Sequence, residues 1–180
     1  MLQVKTDAAA RTLVKDLRIE EANVRRVFPS GLVIEVEERL PVARVTCDYG
    51  YLDIDRQGMV LNAYRVPRER TIPLITGLKL HDLYIGDEVK DPAVQGLLKY
   101  LNALRPEERG QLNEIAVMRP DYVVAYTAAA VQIRIGALER LESKAALTQD
   151  FLAELRTAKH PIEYIDLSFA TPFIKFREGK

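Results

Sequence analysis

A few groupings in this sequence hold residue types that could do chemistry, and none of them closes a reacting geometry. The run Asp53-Ile-Asp55-Arg-Gln57-Gly58 begins like a calcium loop. Such a loop sets oxygen ligands at alternate positions and ends on a bidentate glutamate at the twelfth. Here the fifth position is Gln57 and the twelfth is Tyr64, and a phenol cannot replace that carboxylate, so the run reads as a turn ending in glycine. His81 and His160 are the only histidines and lie far apart. His160 stands beside Pro161 at an expected helix end, where an imidazolium interacts favourably with the helix dipole. Glu37-Glu38 and Glu107-Glu108 are adjacent carboxylates, which on a strand point to opposite faces and cannot share a substrate. Cys47 is the single cysteine, so no internal disulfide is possible, and beside Thr46 in an apolar strand it reads as a small buried residue. No nucleophile elbow, phosphate-binding loop or dinucleotide fingerprint occurs. The expectation is a protein that binds rather than catalyses, with no cofactor and no metal.

The elements around these residues set the alternative. Lys plus Arg equals Asp plus Glu at 26 each, dispersed along the chain, so the basic stripe of a nucleic-acid binder is missing. No run approaches the ~20 apolar residues of a membrane-spanning helix, and no signal peptide is visible at Met1. Asp7 to Leu17 reads as a short helix capped by Thr6 or Asp7, with Ala10, Leu13, Val14 and Leu17 on one side. A hairpin follows, turning at Phe28-Pro29-Ser30-Gly31. Leu32, Ile34 and Val36 alternate on one face against Val33, Glu35 and Glu37 on the other.

Beyond Pro41 the sequence becomes β-rich. Val42–Cys47, Tyr51–Asp55 and Met59–Asn62 form a meander, and Thr71–Gly77 is extended. A helix runs from Pro92 to about Leu104, where Val94, Leu97, Leu98 and Leu101 recur at helical spacing and Pro106 stops it. Leu112–Met118, Tyr122–Thr127 and Val131–Ile135 alternate as strands. A second helix spans Leu141–Ala158, and two last strands, Glu163–Phe169 and Pro172–Phe176, are separated by Ala170-Thr171.

The order Val24, Arg26, Phe28, Pro29, Leu32, Ile34, Val36, Glu38, Arg39, Pro41, Val42, Ala43 resembles the end of the POTRA domain of the FtsQ/DivIB bacterial cell-division proteins. The runs Tyr-Leu-Asp-Ile-Asp-Arg-Gln-Gly-Met-Val, Pro-Leu-Ile-Thr-Gly, Val-Gln-Ile-Arg-Ile-Gly and Tyr-Ile-Asp-Leu-Ser-Phe follow in the order of that family's β domain. The resemblance implies an α+β fold: a partial POTRA module over residues 1–40, then, over 41–180, a β-rich domain with a curved mixed sheet and packed helices. Its implied role is a non-enzymatic divisome scaffold. That scaffold docks FtsB/DivIC-like and FtsL-like bitopic proteins and links them to the septal peptidoglycan synthesis machinery. It also implies a parent protein held in the bacterial inner membrane at the septum by one transmembrane helix, with this part a soluble extracytoplasmic fragment on the periplasmic side. POTRA domains also occur as polypeptide-binding modules of outer-membrane assembly and secretion factors, which is the alternative reading. With part of the POTRA module missing, some apolar surface of the hairpin should lie uncovered.

The resemblance further implies that the last strands of the β domain receive a partner segment by strand addition. In Tyr164–Phe169, Ile165, Leu167 and Phe169 should share one face, with Tyr164, Asp166 and Ser168 on the other. Five backbone hydrogen bonds at a net ~1 kcal/mol each do not offset the ~4–15 kcal/mol lost in association, so aromatic anchors must contribute. Phe169 and Phe173 are the expected anchors, together with Phe176 and the amphipathic Tyr164. Asp166, Ser168 and Thr171 offer polar contacts, and Lys175 can meet an acidic group on the partner. Arg119, on the Met118–Asp121 turn, is a further contact candidate. Pro172 cannot donate a ladder hydrogen bond, so pairing should break there.

Overall fold

The computed structural model describes residues 5–66, 72–155 and 161–177. These fall into two compact units, up to Leu40 and from Pro41 onward. In the first, α1 (Thr6–Leu13) precedes β1 (Ile19–Val27) and β2 (Gly31–Glu38), an antiparallel pair that closes at Val27 opposite Gly31. The helix is shorter than its apolar spacing predicts. Its N-cap is Lys5, with no side-chain cap, so neither Thr6 nor Asp7 serves that role. The register places Ala22, Val24 and Arg26 on the same face as Val36, Ile34 and Leu32. Val24 is buried, whereas Leu32, Ile34 and Val36 on the same face are exposed among the described residues.

The second unit runs β3 (Ala43–Cys47), β4 (Gly50–Ile54), β5 (Val60–Tyr64), β6 (Leu74–Thr76), α2 (Pro92–Ala103), α3 (Pro106–Arg109), β7 (Leu112–Arg119), β8 (Tyr122–Thr127), β9 (Gln132–Gly136), α4 (Leu141–Leu155), β10 (Ile162–Asp166) and β11 (Phe173–Phe176). Its strands make one nine-stranded mixed sheet in the order β11-β10-β9-β8-β7-β6-β3-β4-β5. The expected α+β class holds. The parallel neighbours β6/β7 and β9/β10 require crossovers, and α2 and α4 supply them. β6 and β9 point the same way, and both crossovers step toward β11. The right-handed rule therefore sets both helices on one face. There Val94, Leu97, Leu98 and Leu101 of α2 and Phe151 and Leu152 of α4 share a core with Leu52, Val45, Ile75, Ile115, Ala125, Ile133 and Ile165.

Local chemistry fixes the helix ends. The Asp91 carboxylate accepts from the N–H groups of Ala93 and Val94 at 2.8 and 3.1 Å, with Pro92 at the first helical position. The phenol of Tyr100 and the hydroxyl of Thr148 share a 2.7 Å hydrogen bond in the buried α2–α4 seam, and burial pushes the Tyr100 pKa up. Pro106 stops α2 as predicted but also opens the turn α3. Glu107-Glu108 therefore sits on a helix rather than a strand, with Glu108 buried and bonded twice by Arg105, at 3.0 and 2.9 Å. The end of the second predicted helix, beyond Leu155, and His160 lie outside the described residues.

Candidate functional site

The last two strands form one margin of the sheet, and the site is built from them. β10 lies parallel to β9 and antiparallel to β11. Its end is set by its own sequence: the Asp166 carboxylate accepts from the Ser168 N–H at 2.9 Å, an Asx turn that competes with strand geometry. The strand expected to run to Phe169 therefore stops at Asp166. Leu167 is buried, but Ser168, Phe169 and Thr171 lie in an irregular connection, so Phe169 does not share a strand face with Ile165. Pairing resumes only after Pro172, at Phe173, in keeping with the missing proline donor. β9 passes close beneath this connection. At Gly136, with φ 71°, an added Cβ would lie 2.6 Å from the Ser168 hydroxyl oxygen.

On the face opposite the helices, the register sets Gln132 and Arg134 of β9 beside Tyr164 and Asp166 of β10, and these beside Lys175 and Phe173 of β11. The Arg134 guanidinium stacks 3.5 Å from the Tyr164 ring centroid, a cation–π contact, and lies 4.0 Å from the Asp166 carboxylate. Tyr164 in turn meets the Phe173 ring at 6.2 Å and an interplanar angle of 48°. The Lys175 ammonium is 3.1 Å from Glu163 and 5.8 Å from the Tyr164 ring. On the helix face, Ile174 and Phe176 carry the apolar row of Ile165 and Ile162 outward to the margin. Phe169, Phe173 and Phe176 are 66%, 54% and 53% exposed. Three large aromatic side chains so open to solvent are unusual on a stable soluble surface.

Most of the expected residues are thus brought together, with two qualifications of role. Asp166 is half-buried, engaged by Ser168 and Arg134, and acts as a support for the stack. Arg119 is not part of the group. It ends β7, pairs with Asp121 at 3.3 Å and lies over the Tyr122 ring at 5.7 Å. Four strand spacings from β11 amount to roughly 19 Å. Arg134 was not anticipated. Its alternation with Ile133 and Ile135 placed it opposite the core, but only the parallel register could bring it over Tyr164.

The remaining chemistry-bearing residues have structural partners. Arg44 and Asp53, both buried, form an ion pair at 2.6 Å, and the Asp53 carboxylate raises the Arg44 pKa. The Asp55 carboxylate accepts from the N–H groups of Gln57 and Met59 at 2.8 Å each, and Gly58 takes φ 93°, so the apparent calcium loop is a turn. His81 lies 3.5 Å from the Asp48 carboxylate at an exposed position. Among the described residues, no group of three or more His, Cys, Asp or Glu side chains is placed to hold a metal ion, and no helix is long and apolar enough to cross a membrane.

The chain is thus a short hairpin unit followed by a mixed α+β unit whose sheet is roofed on one side and ends on an aromatic strand. Two family models match it: the FtsQ-type POTRA domain over residues 1–39 and the C-terminal region of the cell-division protein FtsQ/DivIB over residues 43–168. The chain belongs to the FtsQ/DivIB family of bacterial cell-division proteins. Relatives named cell division protein FtsQ include that of Syntrophotalea carbinolica, 26% identical, covering 92% of this chain and 60% of the relative. That of Geobacter sp. is 28% identical, covering 97% of this chain and 64% of the relative. The chain therefore spans about three fifths of the length of these relatives. The solved extracytoplasmic domain of DivIB from Geobacillus stearothermophilus is 18% identical over 68% of this chain and 99% of that one, at a TM-score of 0.47; the family assignment does not rest on it.

Proposed function

We propose that this chain is an extracytoplasmic, non-enzymatic scaffold of the bacterial division machinery. In this reading residues 1–40 end its POTRA domain and residues 41–180 form its β domain. It receives a segment of a bitopic division protein, FtsB/DivIC-like or FtsL-like, along β11, and so couples that partner to septal peptidoglycan synthesis. The parent protein is anchored in the cytoplasmic membrane by one transmembrane helix. The observation that carries this reading is the position of β11 as the terminal strand of the sheet, with Phe173 and Phe176 more than half exposed on its two faces. A terminal strand is a template for another chain. Burying a phenylalanine side chain contributes about 1.5–3 kcal/mol. Two anchors added to the ~5 kcal/mol of ladder bonds reach at most ~11 kcal/mol gross, and three reach ~14 kcal/mol. Three are therefore needed to exceed the lower end of the association cost, ~4 kcal/mol, by the ~8 kcal/mol net of micromolar binding. Tyr164, held by Arg134, forms the firm floor under Phe173, and Lys175 offers a charge to an acidic partner residue.

The test is a calorimetric titration of the chain with the extracytoplasmic segments of the cognate FtsB/DivIC-like and FtsL-like proteins, using wild type, Phe169→Ala and Phe173→Asp. The expected result is binding by wild type, weakened in the first variant and lost in the second, with melting temperatures retained. Binding unchanged in both variants would refute the β11 site.

A further inference from the structure

The β11 margin is complementary to itself, and that property does not depend on the docking proposed above. The open strand is short, Phe173–Phe176, and follows Pro172. Phe173 and Lys175 lie on the face opposite the helices, Ile174 and Phe176 on the helix face. When the same strand of two copies pairs edge to edge and antiparallel, a twofold axis stands normal to the sheet. Opposed residues then share a face, so the axis must pass beside one residue. Each choice has a definite consequence. An axis at Phe173 sets Pro172, which has no N–H to donate, against Ile174 on both sides and leaves a single unbroken pair. An axis at Lys175 opposes two ammonium groups, and an axis at Phe176 opposes Lys175 to the second copy's Arg177. Like charges directly opposite destabilise a sheet. An axis at Ile174 opposes Ile174 to its own counterpart and each Phe173 ring to the other copy's Lys175, in consecutive pairs.

That last arrangement brings no like charges together. Lys175 keeps its own Glu163 at 3.1 Å while meeting a phenyl ring, as it already meets the Tyr164 ring at 5.8 Å. A lysine on an edge strand commonly prevents pairing; here it does so in two registers and supports a third. No outside sequence is needed to supply these matches, because Phe-Ile-Lys-Phe presents at each position the residue type that its own copy requires. With the axis normal to the sheet, the helices of both copies lie on one side, and Ile174 and Phe176 of each copy close on those of the other. Phe173, Ile174 and Phe176 are 54%, 36% and 53% exposed. With about 150–250 Å² for a fully buried aromatic side chain, the contact covers roughly 300–400 Å² of each copy, short of the ~1,200 Å² in total of a stable interface. We infer that β11 docks on β11 of a second copy, antiparallel about Ile174, as a weak and reversible dimer that any other segment must displace to use the same edge.

The test is sedimentation equilibrium of the chain from micromolar to millimolar concentration, with the melting temperature recorded for every variant. Wild type should rise from the monomer mass toward twice that value. Phe173→Lys sets an ammonium opposite each Lys175 and should weaken association at least about tenfold, since the axis repeats the repulsion. Adding Lys175→Glu to it places opposite charges across the axis and should recover association to within about threefold of wild type. Phe173→Asp separates this inference from the docking reading. It sets a carboxylate against the second copy's Lys175 and should leave self-association within about threefold of wild type, although the same change is expected to abolish binding of the bitopic segment. A wild type that stays monomeric throughout would overturn the inference, and if it still bound the bitopic segment the edge would serve that partner alone. Association unchanged by Phe173→Lys, or not recovered by the double change with the melting temperature retained, would overturn it too.

Discussion

The two margins of the nine-stranded sheet are treated differently. At one end, β5 is covered by its own chain: the Val60 N–H donates to the Asp87 carbonyl at 2.8 Å and the Gly86 N–H to the Val60 carbonyl at 2.9 Å. Met59 bridges Glu88, and the Asp87 carboxylate holds this turn by accepting from the Tyr84 N–H at 2.8 Å. At the other end, β11 terminates the order with all four residues exposed. Proteins protect strand edges with turns, charges or prolines because an open edge pairs with other chains. One margin is blocked by a built turn and the other presents phenylalanines, a difference that accords with the proposed docking along β11.

The contrast can be broken most strongly at Phe173. Phe173→Asp should weaken partner binding by at least about thirtyfold, equivalent to ~2 kcal/mol, and leave urea unfolding within ~0.5 kcal/mol of wild type. Next is the support under the open margin. Gly136→Ala sets a Cβ against the Ser168 hydroxyl at a positive φ, and should destabilise the chain by about 1–3 kcal/mol in urea unfolding while also weakening partner binding. At the covered margin, Asp87→Ala removes the acceptor for the Tyr84 N–H and should cost about 1 kcal/mol. Amide exchange at Val60 should then accelerate, read by hydrogen-exchange mass spectrometry, with partner affinity unchanged. The smallest expected effect sharpens the comparison by its absence. Asn62→Asp, exposed on β5, should alter partner affinity less than twofold, because the proposed docking strand is β11, at the other margin.

The elements themselves were largely legible, because their patterns are local. The spacing of Val94, Leu97, Leu98 and Leu101 and the Asp91-Pro92 start are helix signals, and the alternation through Leu32, Ile34 and Val36 is a strand signal. Errors arose where a short polar side chain outcompeted the pattern. Asp166 turned the chain three residues before apolar alternation said it should end, which took Phe169 off the strand. The turn at Pro106–Arg109 was too short to show periodicity. Strand order was not legible, since it depends on crossovers that join residues some thirty positions apart. Consequently Phe173 and Lys175 could be expected on a late strand, but the Arg134–Tyr164 stack could not, and Arg119 could not be separated from the others until the order was known.

The one-sided roof carries a further consequence. Nine strands span eight spacings, about 38 Å, whereas two helices about 10 Å across shelter roughly half of that width. The sheet is wider than its cover, and the shortfall at the β11 side falls under Ile174 and Phe176. Another strand laid beside β11 widens the unsheltered strip by ~4.8 Å and leaves those two side chains wet. A ligand that brings a helix along with its strand would extend the roof and the floor together. Helix content next to the pairing segment, rather than strand sequence alone, should therefore separate tight ligands from weak ones.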